Sequence, residues 1–286
     1  VGYEYDVSER AEWSGSYIGM TFQLQQPVVE ARLNVRLPDG WTLNGKLINC
    51  DSCTSFQQGN LYSWVASNLA YRVEEPLQPE WPKLARKVRV ACAGPTEDRG
   101  ISFASWDHAS RWASRLLDSS AQCDTSVRTF ITSLSTDSAT PLEKIQAVAE
   151  FVRAQVRYVA VEIDKGRIVP RPAATTLASR FGDCKDKVAL MRAMLTAIDI
   201  PSRAVLASAG NPVSSGLCTP FQFNHCILAM PAAAVGPNIS SFPAVVDKWL
   251  FYDPTDPSLP LGRLPSVLHD SHVLIAAPDS GALVHF

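Results

Sequence analysis

The chain lacks most of the features by which function classes announce themselves. No apolar run approaches the roughly 18 residues of a membrane-spanning helix. The opening residues VGYEYDVSER do not follow the basic, apolar, small-residue order of a secretion signal. Neither charge dominates: 26 Lys and Arg stand against 28 Asp and Glu. The basic residues gather into no stripe, which argues against nucleic acid or an anionic membrane as partner. HExxH, GxSxG, P-loop, GxGxxG and EF-hand patterns are missing, so nothing points to a metal or a nucleotide cofactor. Histidine is sparse, at five residues, so each can be weighed as a base. Cysteine is present, but the count of seven is odd, and at least one thiol stays unpaired in a monomer.

What remains is a composition able to bury a sizeable core, 46% hydrophobic and 19% charged, on a chain long enough for two ordinary domains. From residue 1 to about 100 short alternating stretches follow one another: MTFQLQQ, VVEARLNVRL, WTLNGKLIN, LYSWVASNL and RKVRVACA. This is the period-2 pattern of antiparallel strands. In the second stretch Val29, Ala31, Leu33 and Val35 share one face, and Glu30, Arg32, Asn34 and Arg36 the other. Turn chemistry in LPDG and in AGPTEDRG punctuates the strands at β-sandwich spacing. From Ser105 the period becomes helical, with Trp106, Ala109, Trp112, Leu116 and Leu117 on one stripe. A boundary near residue 100 therefore divides a β-sandwich domain, 1–100, from a second domain, 101–286.

In that second part Thr140, Pro141 and Glu143 spell a capping box with proline at the first helical position. Leu142, Ile145, Val148, Val152 and Val156 give its buried stripe. After IVPRP, a second helix carries Val188, Met191, Leu195 and Ile198 inward and stops before Pro201. The stretches SRAVLAS, FNHCILAM, KWLFYD and SHVLIAA then read as strands. The fold class expected is α+β, an N-terminal antiparallel sandwich followed by helices packed on an antiparallel sheet.

The junction GDCKDK puts Cys184 at the first position of a helix, with Asp183 as N-cap and Asp186 three residues on. The positive end of a helix dipole and its free N–H groups favour thiolate over thiol, so a cysteine there can titrate below its ordinary value of about 8.5. The same N–H groups can hold an oxyanion. Acyl transfer also needs a proton shuttle. His225 stands inside a buried strand, sharing a face with Phe223 and Ile227, whereas His108 lies on the Trp-rich helix and His269, His272 and His285 cluster late in the chain. Asp253 closes KWLFYD before Pro254, which biases it to extended backbone. It is placed to fix the imidazole.

Three blocks, RFGDCKDKVALMRAMLTAIDIPSRAVL, FNHCILAM and WLFYDPTDP, occur in that order, and together they resemble the signature blocks of the bacterial transglutaminase-like superfamily. The resemblance runs from about Ser105 to Ala277. It implies a papain-like fold with a catalytic Cys–His–Asp triad, mapped to Cys184, His225 and Asp253, and no cofactor. The first 100 residues resemble, more weakly and without its first strands, a β-sandwich domain of unknown function that precedes this enzyme domain in many bacterial proteins; the resemblance does not extend to the third domain of longer relatives. The residues leave the compartment open, and the resemblance alone favours an extracytoplasmic, for instance periplasmic, location. Asp199 departs from the family, where a glycine is common at the helix end.

The expected activity is attack of the Cys184 thiolate on an amide or peptide carbonyl through a thioester, with water as the default acceptor, as in a cysteine protease or amidase. Alternatives are transglutaminase-type transfer to an amine, including biosynthetic amide formation, and an inactive binding or scaffold module. The partner is accordingly a peptide, a protein or a small amide or amine. Singly, each residue has a plainer reading: Cys184 as a buried cysteine, His225 as a core histidine, Asp253 as a turn residue before proline. Cys50 and Cys53, in NCDSC, lack a second zinc pair and read as a turn with a local disulfide or two free thiols. Cys218 and Cys226 read as small buried residues. Tyr158 and Trp249 read as core aromatics, with a place in a substrate cleft as the other role for Tyr158.

Overall fold

The structure is a computed structural model, and it describes residues 2, 4–7, 17–94, 103–134, 139–160, 168–239, 241–281 and 283–286. It divides into two compact units, residues 1–104 with 216–221, and residues 105–215 with 222–286. The turn AGPTEDRG from Pro95 onward, and residue 100 itself, lie outside the described residues.

The first unit holds β1 (Tyr17–Thr21), β2 (Val28–Arg36), β3 (Thr42–Ile48), β4 (Thr54–Gln58), β5 (Leu61–Leu69), the short helix α1 (Trp81–Leu84) and β6 (Lys87–Ala93). Two three-stranded antiparallel sheets form, in the orders β1-β6-β3 and β2-β5-β4. Their inward residues, among them Phe22, Val35, Trp64, Ala66, Val88 and Val90, make one apolar core. Alternation sets this up: Leu33 opposes Trp64 and Val35 opposes Tyr62, while the pair between them, Asn34 and Ser63, lies on the other face, where the buried Ser63 hydroxyl donates to Asn34 Oδ1 at 2.7 Å. Gly45 on β3 has no Cβ because the Trp64 ring occupies that space.

Two details of the strand pattern are corrected. Val29 does not face inward with Ala31; it is 83% exposed. Pairing skips from Val28–Leu69 to Glu30–Ser67, and Asn68 opposite takes a left-handed φ of 54°, so the alternation is broken there. The first strand also ends earlier than MTFQLQQ suggests. Phe22 N–H and Gln23 N–H both donate to the Arg86 carbonyl, at 2.8 and 3.2 Å, and this shared acceptor ends the regular ladder at Thr21. In the β3–β4 turn Cys50 and Cys53 are joined as a disulfide with Cα atoms 5.4 Å apart.

The second unit begins with helices α2 (Trp106–Asp118), α3 (Thr125–Leu134) and α4 (Pro141–Gln155). Next come β7 (Arg157–Tyr158), α5 (Ala173–Ser179), β8 (Phe181–Gly182) and α6 (Cys184–Thr196). The remainder is β9 (Arg203–Ala207), β10 (His225–Pro231), α7 (Ala232–Val235), β11 (Val245–Val246), β12 (Trp249–Tyr252), β13 (His272–Ile275) and β14 (Leu283–His285). Six strands form an antiparallel sheet in the order β11-β12-β10-β9-β13-β14. The fold is thus α+β, with helices packed on an antiparallel sheet.

Helix α6 is the axis of this unit. A single stripe through Val188, Met191, Leu195 and Ile198 understates its burial: every residue from Gly182 to Leu195 other than Cys184 is buried. It packs against α4 and α5 as well as β10 and β9, so between Cys184 at its start and the exposed Thr196 at its end it has no solvent face. Ile198 lies beyond the helix and is half-buried, and Ile200 fills the core in its place. Between them Asp199 sits at φ 59°. This is the left-handed conformation that favours glycine after a helix, and Asp is one of the side chains that tolerate it.

Candidate active site

The start of α6 is built by a reciprocal capping box. Asp183 Oδ1 accepts from the Asp186 N–H at 3.2 Å, and Asp186 Oδ2 accepts from the Asp183 N–H at 3.4 Å. Both carboxylates are buried, at 2% and 1% exposure. Their remaining oxygens are taken by cations and by more backbone. Arg171 donates to Asp186 twice, from its N–H at 2.8 Å and from Nε at 2.9 Å, and its guanidinium also reaches the Phe181 carbonyl. The same guanidinium lies 4.6 Å from the centroid of the Phe181 ring. Lys185 pairs with Asp183. Burial is the largest influence on Asp183 and pushes its carboxyl up, against the lowering effect of the Lys185 hydrogen bond. Gly182 makes the approach possible, because a Cβ there would stand 2.6 Å from Asp186 Cβ and 3.1 Å from Arg171 Nη2.

Strand β7 runs parallel beside this junction, with Tyr158 opposite Gly182 and the Val159 N–H donating to the Gly182 carbonyl at 2.9 Å. Tyr158 is 45% exposed, so its reading as a core aromatic is corrected: the two-residue pairing leaves its side chain at the surface beside the helix start. Trp249 is half-buried against the sheet core. Cys218 is half-buried, not buried, while Cys226 is buried. Burial, with the Cys184 charge second, pushes the Cys226 thiol well above its ordinary value, so it stays a neutral thiol.

Cys184 occupies the first position of α6 and is half-buried where its neighbours are closed off. Its side chain hydrogen-bonds to His225. His225 opens β10 opposite Ala207 of β9, and its Nε2 lies 2.8 Å from Asp253 Oδ2. That leaves Nδ1 as the ring nitrogen for the thiol. Asp253 follows β12 directly, is 4% exposed, and receives on Oδ1 the Thr255 N–H at 2.9 Å and the Thr255 hydroxyl at 2.7 Å. The three residues singled out from sequence therefore stand in one chain of contacts, sulfur to imidazole to carboxylate.

The electrostatics follow from this chain. Burial alone would lower the pKa of His225 and is the largest single influence; the hydrogen bonds to Asp253 and Cys184 and their charges together overcome it and raise the value to about 10. Asp253 is pushed up by burial, but the hydrogen bond and charge of His225 and the two Thr255 donors bring it below the usual carboxylate value. Beneath the site Lys187 is buried at 1% exposure and donates to the Val156 carbonyl at 2.9 Å, at the end of α4. Burial lowers its pKa to about 8, opposed by the Asp253 charge. Arg171, Lys187 and Thr255 were not singled out as site residues. Arg171 and Thr255 stand in the stretches IVPRP and DPTDP that read as loop and turn, and Lys187 has the spacing of any helical lysine.

The loop that leads into β10 is held by side-chain amides acting as extra rungs. Gln222 accepts from the Ser214 N–H at 2.9 Å and donates to its carbonyl at 3.1 Å. Asn224 does the same with Ala209, at 2.8 and 3.2 Å. Trp106 packs edge-on against Phe223 at 6.1 Å, and its indole N–H donates to the Ser215 carbonyl at 2.8 Å. Among the described residues no group of three or more His, Cys, Asp or Glu side chains is arranged to hold a metal ion. No helix of the described residues is long and apolar enough to cross a membrane.

Comparison with known proteins bears on the same half of the chain. The profile of the transglutaminase-like superfamily matches residues 128–239, a span that contains Cys184 and His225 and ends before Asp253. No curated protein sequence matches the chain. Among solved structures, a "putative protease" from Parabacteroides distasonis superposes with a TM-score of 0.67 at 15% identity, over 96% of this chain and 48% of its own. The chain thus spans about half the length of that protein, and the likeness is one of fold. A "putative cysteine protease" from Cytophaga hutchinsonii covers 95% of this chain and 85% of its own at 14% identity, with a TM-score of 0.38. The periplasmic domain of TgpA from Pseudomonas aeruginosa covers 88% and 84% at 15% identity, with a TM-score of 0.32. The last two superpose too loosely to carry an argument. On the profile match, the second half of this chain contains a domain of the transglutaminase-like superfamily.

Proposed function

We propose that this chain is a cysteine-nucleophile enzyme that cleaves amide or peptide bonds through a thioester on Cys184. The observation that supports this most is that Cys184 alone is left partly open in an otherwise buried helix start, in contact with a His225 that is in turn bonded to Asp253. A purely structural cysteine needs neither the opening nor the pair.

In this reading the sulfur, as thiolate beside imidazolium, attacks the carbonyl carbon. Backbone N–H groups of the first turn of α6 hold the oxyanion. His225 passes its proton to the leaving nitrogen, the C–N bond breaks and the amine departs, leaving the acyl group on sulfur. The raised pKa of His225 depends in part on the charge of Cys184. Acylation removes that charge, so the imidazole, neutral once its proton has gone to the amine, stays neutral and can act as base on the incoming water. Water adds to the thioester, the C–S bond breaks, and the acid leaves with the thiol restored. Asp253 holds the ring orientation through both half-reactions.

The test is direct. The protein is incubated with a peptide library, with and without a labelled amine, and new acids or amides are identified by mass spectrometry. Cleavage by the wild type and none by Cys184→Ala, at an unchanged melting temperature, is the expected result. Amide formation without cleavage would replace hydrolysis by transfer. Alkylation of Cys184 by iodoacetamide only above pH 8, as for an ordinary thiol, together with no turnover, would leave a binding module.

A further inference from the structure

The segment after β12 repeats a three-residue pattern, Asp253-Pro254-Thr255 and then Asp256-Pro257-Ser258. The two copies make the same local bonds. Asp253 Oδ1 accepts from the N–H and hydroxyl of Thr255 at 2.9 and 2.7 Å. Asp256 Oδ1 accepts from the N–H and hydroxyl of Ser258 at 2.8 and 2.6 Å. Closing a turn needs only the backbone N–H, and in the second copy, which is exposed, the turn is all there is to explain. In the first copy the carboxylate is 4% exposed and its other oxygen meets His225 Nε2. Rotation of the Asp253 carboxylate about its last bond would move that oxygen off the ring. The hydroxyl of Thr255 resists this rotation, as a second donor on the same oxygen as the N–H.

From this we infer that Thr255 is a positioning residue of the site: its hydroxyl locks the Asp253 carboxylate so that Oδ2 faces His225, and the ring thereby keeps Nδ1 toward Cys184. The inference rests on the reading of His225 and Asp253 as base and orienting group. Among the described residues the other charged or titratable groups acting on this pair are Cys184 and Lys187 from α6 and Tyr252 from β12. None of them donates to Oδ1 of Asp253 in place of the Thr255 hydroxyl, whose removal therefore leaves only the backbone donor of residue 255 on that oxygen.

The experiment is 15N NMR of the imidazole rings in histidine-labelled full-length protein, titrated from pH 6 to 11, with the His225 signal assigned by its loss in His225→Gln. Cys184 alkylation is followed in parallel by mass spectrometry of its peptide. In the wild type the neutral ring should be protonated at Nε2, the tautomer that the carboxylate selects. Thr255→Val, which keeps shape and backbone donor, should populate both tautomers and slow alkylation about tenfold, the scale of one hydrogen bond to a charged group. Thr255→Ser should restore both readouts. Ser258→Ala, the same change in the exposed copy, should alter neither. A Thr255→Val protein with wild-type tautomer and alkylation rate would overturn the proposal. So would a Thr255→Ser protein that behaves like the valine variant, since the threonine methyl would then be what matters. If the wild-type ring itself shows no preference for Nε2, the reading of the pair fails and this inference with it; the valine result alone touches only Thr255.

Discussion

Two helix starts in the second unit use the same local code to different ends. At α4, Thr140 and Glu143 form a capping box with Pro141 at the first helical position. At α6, Asp183 and Asp186 form one with Cys184 in that position. The first box stands in solvent; the second is buried, and distant chain supplies its other partners, Arg171 to Asp186 and Val159 to Gly182. A capping box thus says where a helix begins. What the start can do depends on what the fold packs around it. Proline at the first position offers no N–H and no nucleophile. Cysteine offers a sulfur, and burial of its neighbours leaves Cys184 as the partly open residue of the helix start.

The comparison breaks most sharply at Asp186. Replacing it by Ala removes an acceptor for two Arg171 bonds and for the Asp183 N–H. The guanidinium would lose its buried partner, which costs about 3 kcal/mol, at the low end for breaking a buried pair because Arg171 is 29% exposed. Chemical denaturation should show that loss, and alkylation of Cys184 should slow because the helix start is no longer fixed. A loss below about 1 kcal/mol, the scale of an exposed cap, would mean that burial adds nothing at α6.

Legibility in the sequence follows the range of the interactions. Both capping boxes are written within four residues, and both were readable. The alternating strands of the first unit were readable for the same reason, until Val29, where the left-handed Asn68 on the opposing strand breaks the pattern. His225 and Asp253 could be singled out as candidates only because strand-like blocks surround them. Their 2.8 Å contact depends on β10 and β12 being neighbours in the sheet, which no local pattern states. Arg171 was hidden because its partner Asp186 lies 15 residues away across α5. Lys187 and Arg192, both buried on α6, point the wrong way: charged residues in a helix ordinarily mark a wet face, and only the packing around α6 overrides that. Helix α5 is short and carries little apolar period, whereas α3 does carry one, with Val127, Phe130, Ile131 and Leu134 at three- and four-residue steps.

Titration should separate the two starts in opposite directions. Glu143 is held below the usual carboxylate value by the Thr140 N–H first and the Thr140 hydroxyl second. A depressed acid stabilises the fold above its unfolded value of about 4.3, and that contribution is lost as pH falls through its folded value. His225 is raised to about 10. A raised base stabilises the fold fully below its unfolded value of about 6.5, and that contribution is lost as pH rises toward 10. Urea midpoints should therefore show the wild type losing its advantage over Glu143→Gln in acid, and over Asp253→Asn in base. A wild-type advantage over Asp253→Asn that stays constant from pH 6 to 10 would show that Asp253 does not hold the proton on His225.

The smallest effect tests whether the two starts are independent. Thr140 gives α4 one hydroxyl acceptor for the Glu143 N–H at 3.3 Å and one donor to the Glu143 carboxylate at 2.8 Å. Thr140→Ala should cost about 1 kcal/mol and lower the melting temperature by about 2–4 °C. Helix α4 does reach the site, but at its far end, where the Lys187 ammonium binds the Val156 carbonyl. Fraying of the first turn should not travel the length of a 15-residue helix whose Ile145, Val148, Ala149, Phe151 and Val152 are packed in the core. The alkylation rate of Cys184 should then stay at its wild-type value. A slower rate in Thr140→Ala would mean that α4 shifts as a rigid body and carries Lys187 with it, so that the exposed cap serves the buried one through a helix-length lever.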